Sequence, residues 1–173
     1  MSRFKKMTLA LLFCVVGSVS YAQNQELYVG SGFGLDYGGV GGKVEYLPAK
    51  NFGVFGGLGF NLLTVGWNVG ATYKIPVSQM VSINPMAMFG YNGVSVTSSK
   101  FSEYEKVSYG PSFGANVDIK LGKRGNKLSA GLFVPIRSKA FIDTYNAMQE
   151  DPRLTTTSLA PVLVSVGYNF RLK

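Results

Sequence analysis

The side chains able to do chemistry are few, and the missing ones decide most. The 173 residues contain no histidine and one cysteine, Cys14. Ser-His and Cys-His pairs cannot be assembled and the usual metal ligands are lacking, so no metal or cofactor is expected. What remains is a set of charged residues: Asp36, Lys43, Glu45, Lys74, Asp118, Lys120, Arg137 and Arg171. Each stands on the small and polar side of a stretch whose other side is apolar. Two arrangements suit such a set. The charges can pair and fill an interior, or they can line a polar path whose surplus of positive charge favours anions. Carboxylates such as Glu45 and Asp118 leave acid-base catalysis open, but no nucleophile with a partnering base is recognisable. The G-S-G-F-G run at residues 30–34 has only a superficial likeness to a phosphate loop, because it reads as a strand whose glycines make room on one side.

The elements that must position these residues are strands. Over residues 160–172 every second residue, Ala160, Val162, Val164, Val166, Tyr168, Phe170 and Leu172, is apolar, and Ser165, Gly167, Asn169 and Arg171 lie between them. A two-residue period predicts a strand with one apolar face. The pattern recurs over 27–37, 40–46, 52–61, 67–75, 81–92, 108–121 and 128–137, which predicts eight strands in all. On the first, Leu27, Val29, Phe33, Leu35 and Tyr37 form the apolar face. Short connections are expected at Gly38-Gly39, Pro48, Pro76 and residues 122–126, and long ones over 93–106 and 138–158. Within the former, Lys100 to Lys106 alternates and is read as an extension of its hairpin. Within the latter, Phe141, Tyr145 and Met148 share one helical face. That predicts a short helix packed on the rim, or a contact surface for protein or glycan.

Composition narrows the class. Charged residues make up 15%, well below an ordinary soluble domain, with 22 glycines and 13% aromatics. The one long apolar run, residues 7–19, follows Arg3, Lys5 and Lys6 and precedes Ser20-Tyr21-Ala22, the pattern of a secretory signal peptide. Residues 1–22 are therefore expected to be a leader and 23–173 the barrel domain. Cys14 falls inside that leader, so no thiol chemistry is expected of the mature chain. Removing the leader takes three of 17 basic residues and none of nine acidic ones, leaving a charge of +5. Beyond the leader no basic run exceeds Lys123-Arg124, which argues against nucleic acid as a partner.

The predicted fold is all-β: an eight-stranded antiparallel up-and-down transmembrane β-barrel. Short and long connections segregate to opposite ends, as in outer-membrane barrels. Aromatics on the apolar face gather at strand ends. Tyr46, Phe52, Tyr73, Tyr168 and Phe170 are expected at one rim, and Tyr37, Phe60, Trp67, Tyr91 and Tyr109 at the other, as membrane-interface girdles. The rival fold is a lipocalin-like barrel, whose apolar face points inward and whose alternation is the same. The polar face decides for the membrane barrel, since it is dominated by Gly, Ser and Asn. Pro85, Pro111, Pro135 and Pro161 are expected to mark bulges or frayed rims, because each lacks an N–H.

The glycine-rich first hairpin, the Y-L-P-A-K-N-F-G-V-F-G-G-L-G-F stretch at 46–60, the S-I-N-P and F-G-Y-N of the fifth predicted strand, and the final V-G-Y-N-F resemble small outer-membrane β-barrel proteins of the porin-like or OmpA-like type in Gram-negative bacteria, particularly Bacteroidota. One departure is that three residues follow Phe170, where many such proteins end on an aromatic. The resemblance implies a place in the cell outer membrane, with outer-membrane lipid and, during insertion, the barrel-assembly machinery as partners. It brings no active-site motif. The expected role is structural or surface-binding, with the lumen closed and any extracellular ligand met at loops 93–106 and 138–158. A small-solute channel with weak anion preference and a carboxylate-based lipid-modifying enzyme are the alternatives.

Overall fold

The computed structural model describes residues 25–95, 106–150 and 159–172. The leader, residues 96–105 with most of the alternating stretch from Lys100, and residues 151–158 lie outside the described residues. The strands are β1 (Glu26–Gly34), β2 (Gly39–Leu47), β3 (Phe52–Phe60), β4 (Val65–Tyr73), the two-residue β5 (Ile75–Pro76), β6 (Val81–Ser95), β7 (Lys106–Leu121), β8 (Asn126–Pro135) and β9 (Leu163–Arg171). Neighbours in sequence pair antiparallel except β4 and β5, both of which pair with β6, and β1 closes on β9 with Val29 opposite Phe170. The result is a closed eight-stranded antiparallel barrel in which β5 continues the line of β4. Closure of β1 on β9 joins the two ends of the sheet, so the wall has no terminal strand.

Connections segregate as expected. Turns 48–51, 77–80 and 122–125 lie at one end, here the turn end. The other, the loop end, carries the β1–β2 connection, turn 61–64 and the long loops. Asn61 caps its turn by accepting hydrogen bonds from the Leu63 and Thr64 amides at 3.3 and 3.0 Å, a side-chain mimic of a backbone turn.

The two faces are sorted opposite to those of a soluble barrel. Phe33, Leu58 and Leu132 on the outside are 58%, 61% and 60% exposed, whereas Lys43 and Asp118 inside are 2% and 4% exposed. The apolar face therefore points outward, which excludes the lipocalin-like alternative.

Three apolar-face assignments are corrected. Leu35 and Tyr37 do not continue β1 but lie inside the barrel. The strand ends at Gly34, whose φ of 132° no L side chain adopts easily, and a 3-10 turn over Leu35–Tyr37 carries the chain inward before Gly38, at φ 72°, returns it to β2. Tyr91 is also interior. Gly90 has φ 149° and the β6–β7 register shifts between Tyr91 and Gly93, and this bulge turns Tyr91 from the outer to the inner face.

The prolines are accommodated without bulges. Pro85 pairs in register with Ala115, and on its other side it faces the break between β4 and β5, where β6 has no ladder partner. Pro111 lies one residue beyond the β7–β8 ladder, whose last pair is Ser112 with Pro135. Pro135 ends β8 and Pro161 precedes β9. Missing N–H groups thus fall where ladders stop.

The predicted rim helix forms as α1 (Lys139–Glu150), with Phe141 and Met148 buried and the Tyr145 ring 6.3 Å from that of Phe141. It packs on β7, and Lys106 Nζ donates to the Ala140 carbonyl at 3.3 Å and to Thr144 Oγ1 at 3.2 Å. Strands β6 and β7 run past the wall toward this end, to Ser95 and from Lys106, in the direction of the hairpin extension expected from the alternation at 100–106.

Candidate functional site

The interior is built around the in-turned segment Leu35–Gly38. Glycines on the facing strands leave it room. A Cβ on Gly57 would fall on the Asp36 carbonyl oxygen, one on Gly66 on the Gly38 carbonyl oxygen, and one on Gly167 on the Tyr37 hydroxyl. Asn68 fastens the segment by donating to the carbonyls of Leu35 at 2.6 Å and Tyr91 at 2.9 Å. Leu35 then joins Phe55, Met86, Met88, Tyr91 and Phe133 in a buried apolar cluster inside the barrel. The glycine-rich inner wall is thus occupied by the protein's own chain.

Beside the cluster runs a polar network. Asp36 accepts from Lys43 Nζ, from Ser165 Oγ and, at 3.4 Å, from Asn116 Nδ2. Lys43 also lies 4.5 Å from the Tyr37 ring centre, a cation–π contact. Tyr37 donates to Asn169 Oδ1 at 3.2 Å, Asn169 Nδ2 donates to Ser129 Oγ at 3.0 Å, and Ser129 donates to Asp118 Oδ1 at 2.6 Å. The chain of bonds ends on Lys127. Its Nζ donates to Asp118 at 2.7 Å and to both Glu45 oxygens at 2.9 and 3.0 Å, and it sits 4.3 Å from the Tyr28 ring centre. Two lysines are held by three carboxylates out of water, where an unpaired charge costs several kcal/mol, roughly.

The sequence-derived charge set therefore divides. Asp36, Lys43, Glu45 and Asp118 meet in this central network. Asp36, expected apart toward the outer half, is brought to Lys43 by the in-turned segment. Lys74, Lys120 and Arg171 lie instead in a vestibule at the turn end. There Lys74 Nζ donates to Glu26 Oε2 at 2.5 Å and Arg171 reaches Glu26 Oε1 at 3.5 Å. Arg137 stands at the loop end, where its guanidinium donates to the Ala160 carbonyl at 2.8 Å. Burial draws the Arg137 pKa below its ordinary value without threatening its charge.

Two members are missing from that set. Lys127 falls between the expected turn 122–126 and the expected strand from 128, although counting back by two from Ser129 places it on the inner face. Glu26 is likewise two residues before Tyr28.

The outer aromatics form two groups. At the turn end Phe52 pairs across the ladder with Tyr73, and Tyr168 packs edge-on to Phe170 at 4.8 Å, with Tyr46 half-buried nearby on β2. At the loop end Trp67 stacks on Tyr109 at 5.9 Å, with Phe60 exposed on β3. Tyr37 and Tyr91 leave this second group for the interior.

No family model matches the chain, and no curated protein matches it.

Proposed function

We propose that the chain is an integral outer-membrane β-barrel protein, closed along its lumen, with a structural or surface-binding role and no catalytic step. The observation that carries this reading is the inside-out sorting of the barrel. Valines, leucines and phenylalanines stand exposed around the wall, while lysines and carboxylates are buried within it. Water on the outer face would be strongly unfavourable at about 25 cal/mol per Å2 of apolar surface, whereas hydrocarbon accepts it. Dimensions agree. A nine-residue strand rises about 30 Å and, tilted by roughly 40°, covers about 23 Å, close to the ~25 Å apolar band of membrane barrels. The leader-like residues 1–22 and the resemblance to porin-like and OmpA-like barrels support the outer membrane in particular. In that setting the turn end faces the periplasm, and α1 with the long loops faces outward.

The occupied lumen favours a non-conducting role over a small-solute pore, because Tyr37, Phe55 and Phe133 are bulky side chains buried inside the barrel. Glu45 and Asp118, the carboxylates a lipid-modifying reaction would use, are both bonded to Lys127 in the interior, away from lipid. Heat-modifiable migration in detergent gels together with resistance to carbonate extraction tests the membrane reading, and recovery as a soluble periplasmic monomer would overturn it. A reproducible change in lipid A acylation on deleting the gene would favour the enzyme.

A further inference from the structure

The vestibule at the turn end has a volume of about 400 Å3 and opens away from the filled lumen. Two residues beyond Glu26 along β1, Tyr28 donates its hydroxyl to Glu26 Oε2 at 3.2 Å. Among the described residues lining it, four are basic, Lys50, Lys74, Lys120 and Arg171, and Glu26 alone is acidic. The four cations come from separate places: turn 48–51, the β4–β5 junction, β7 and β9. They surround the opening instead of running along one edge. Turn 122–125 comes close to this opening, since a Cβ on Gly125 would lie 3.3 Å from the Arg171 side chain.

We propose that this vestibule binds a phosphate-bearing ligand. Among the described lining residues Glu26 offsets one unit of positive charge, and the remaining three call for a multiply charged anion. A phosphomonoester supplies nearly two charges and three acceptor oxygens, which spaced ammonium groups and one guanidinium can share. Ser78 and Gln79 add uncharged hydrogen-bonding groups at the same opening. The recess between protein walls concentrates the field of these charges. The phosphate can belong to a soluble molecule or to a lipid headgroup at the rim.

The test uses the full mature chain refolded in a maltoside detergent that carries no phosphate. Glycerol phosphate and short-chain phosphatidic acid are titrated separately by calorimetry, with phosphorus NMR line widths as a second readout. Saturable binding is expected, weakening about tenfold as salt is raised. It should fall at least about tenfold in Lys120→Glu and in Lys50→Glu. Lys50 lies in an exposed turn outside the ladders, so its variant stays informative if Lys120→Glu refolds poorly. Lys139→Glu, at the opposite end, should bind as the wild type does. Binding of glycerol phosphate assigns a soluble ligand, and binding of phosphatidic acid alone assigns a lipid. Absence of saturable binding by either, or equal loss in Lys139→Glu, would overturn the proposal.

Discussion

Lys127 is bonded to Glu45 and Asp118 at once, and all three are nearly inaccessible to water. Removing its charge leaves two carboxylates facing each other in the interior. Lys127→Ala is therefore expected to lower the free energy of unfolding by about 3–5 kcal/mol, read from urea-induced loss of the heat-modifiable gel form. Lys127→Met combined with Glu45→Gln and Asp118→Asn should recover most of that loss, because no unpaired charge remains. If the single and triple variants are equally destabilised, packing and not charge is what Lys127 supplies. Which charges face inward was legible from alternation, and Lys43, Glu45 and Asp118 lie where it places them. Their partners were less legible. Lys127 sits directly after a turn, where the period has too few residues to declare itself. The Asp36–Lys43 contact depends on a reversal of the chain that alternation cannot describe.

That reversal, the in-turned segment Leu35–Gly38, is the element the sequence concealed. Leu35 and Tyr37 continue the apolar alternation of β1 by spacing alone. The contrary signals are glycines: Gly34 and Gly38 for the backbone, and Gly57, Gly66 and Gly167 for space on strands distant in sequence. Two adjacent glycines give opposed expectations. A methyl on Gly57 would meet the Asp36 backbone, so Gly57→Ala should destabilise the barrel by about 1–3 kcal/mol. Gly56 points outward with nothing within 4 Å, and Gly56→Ala should leave unfolding unchanged within about 0.5 kcal/mol. Equal effects in the same urea assay would contradict the placement of the segment. At the loop end, the buried side chains of α1 are Phe141 and Met148. Phe141→Ala should speed amide hydrogen exchange in α1 while leaving strands β1–β4 protected, whereas exchange rising across the whole barrel would show that the helix supports the wall.

The whole molecule was the most legible level, because alternation over eight strands leaves little besides a closed antiparallel barrel, and because a polar face of Gly, Ser and Asn suits a narrow interior. What alternation alone could not supply is the direction of the faces, which burial of the charged residues resolves. With the lumen occupied, purified refolded protein is expected to give no steady conductance in planar bilayers. Stable anion-selective steps that lose selectivity in Lys74→Glu or Lys120→Glu would make it a pore. The central claim, that the apolar outer wall lies in lipid, has a built-in reporter in Trp67, the single tryptophan of the chain. It stands 40% exposed on the outside of β4, stacked on Tyr109 at the loop-end rim. In vesicles of brominated lipids its fluorescence should be quenched strongly, most by bromine near the headgroup end of the acyl chains, and little by iodide in the water. Quenching by iodide with none by brominated lipid would place the wall in water and contradict the account.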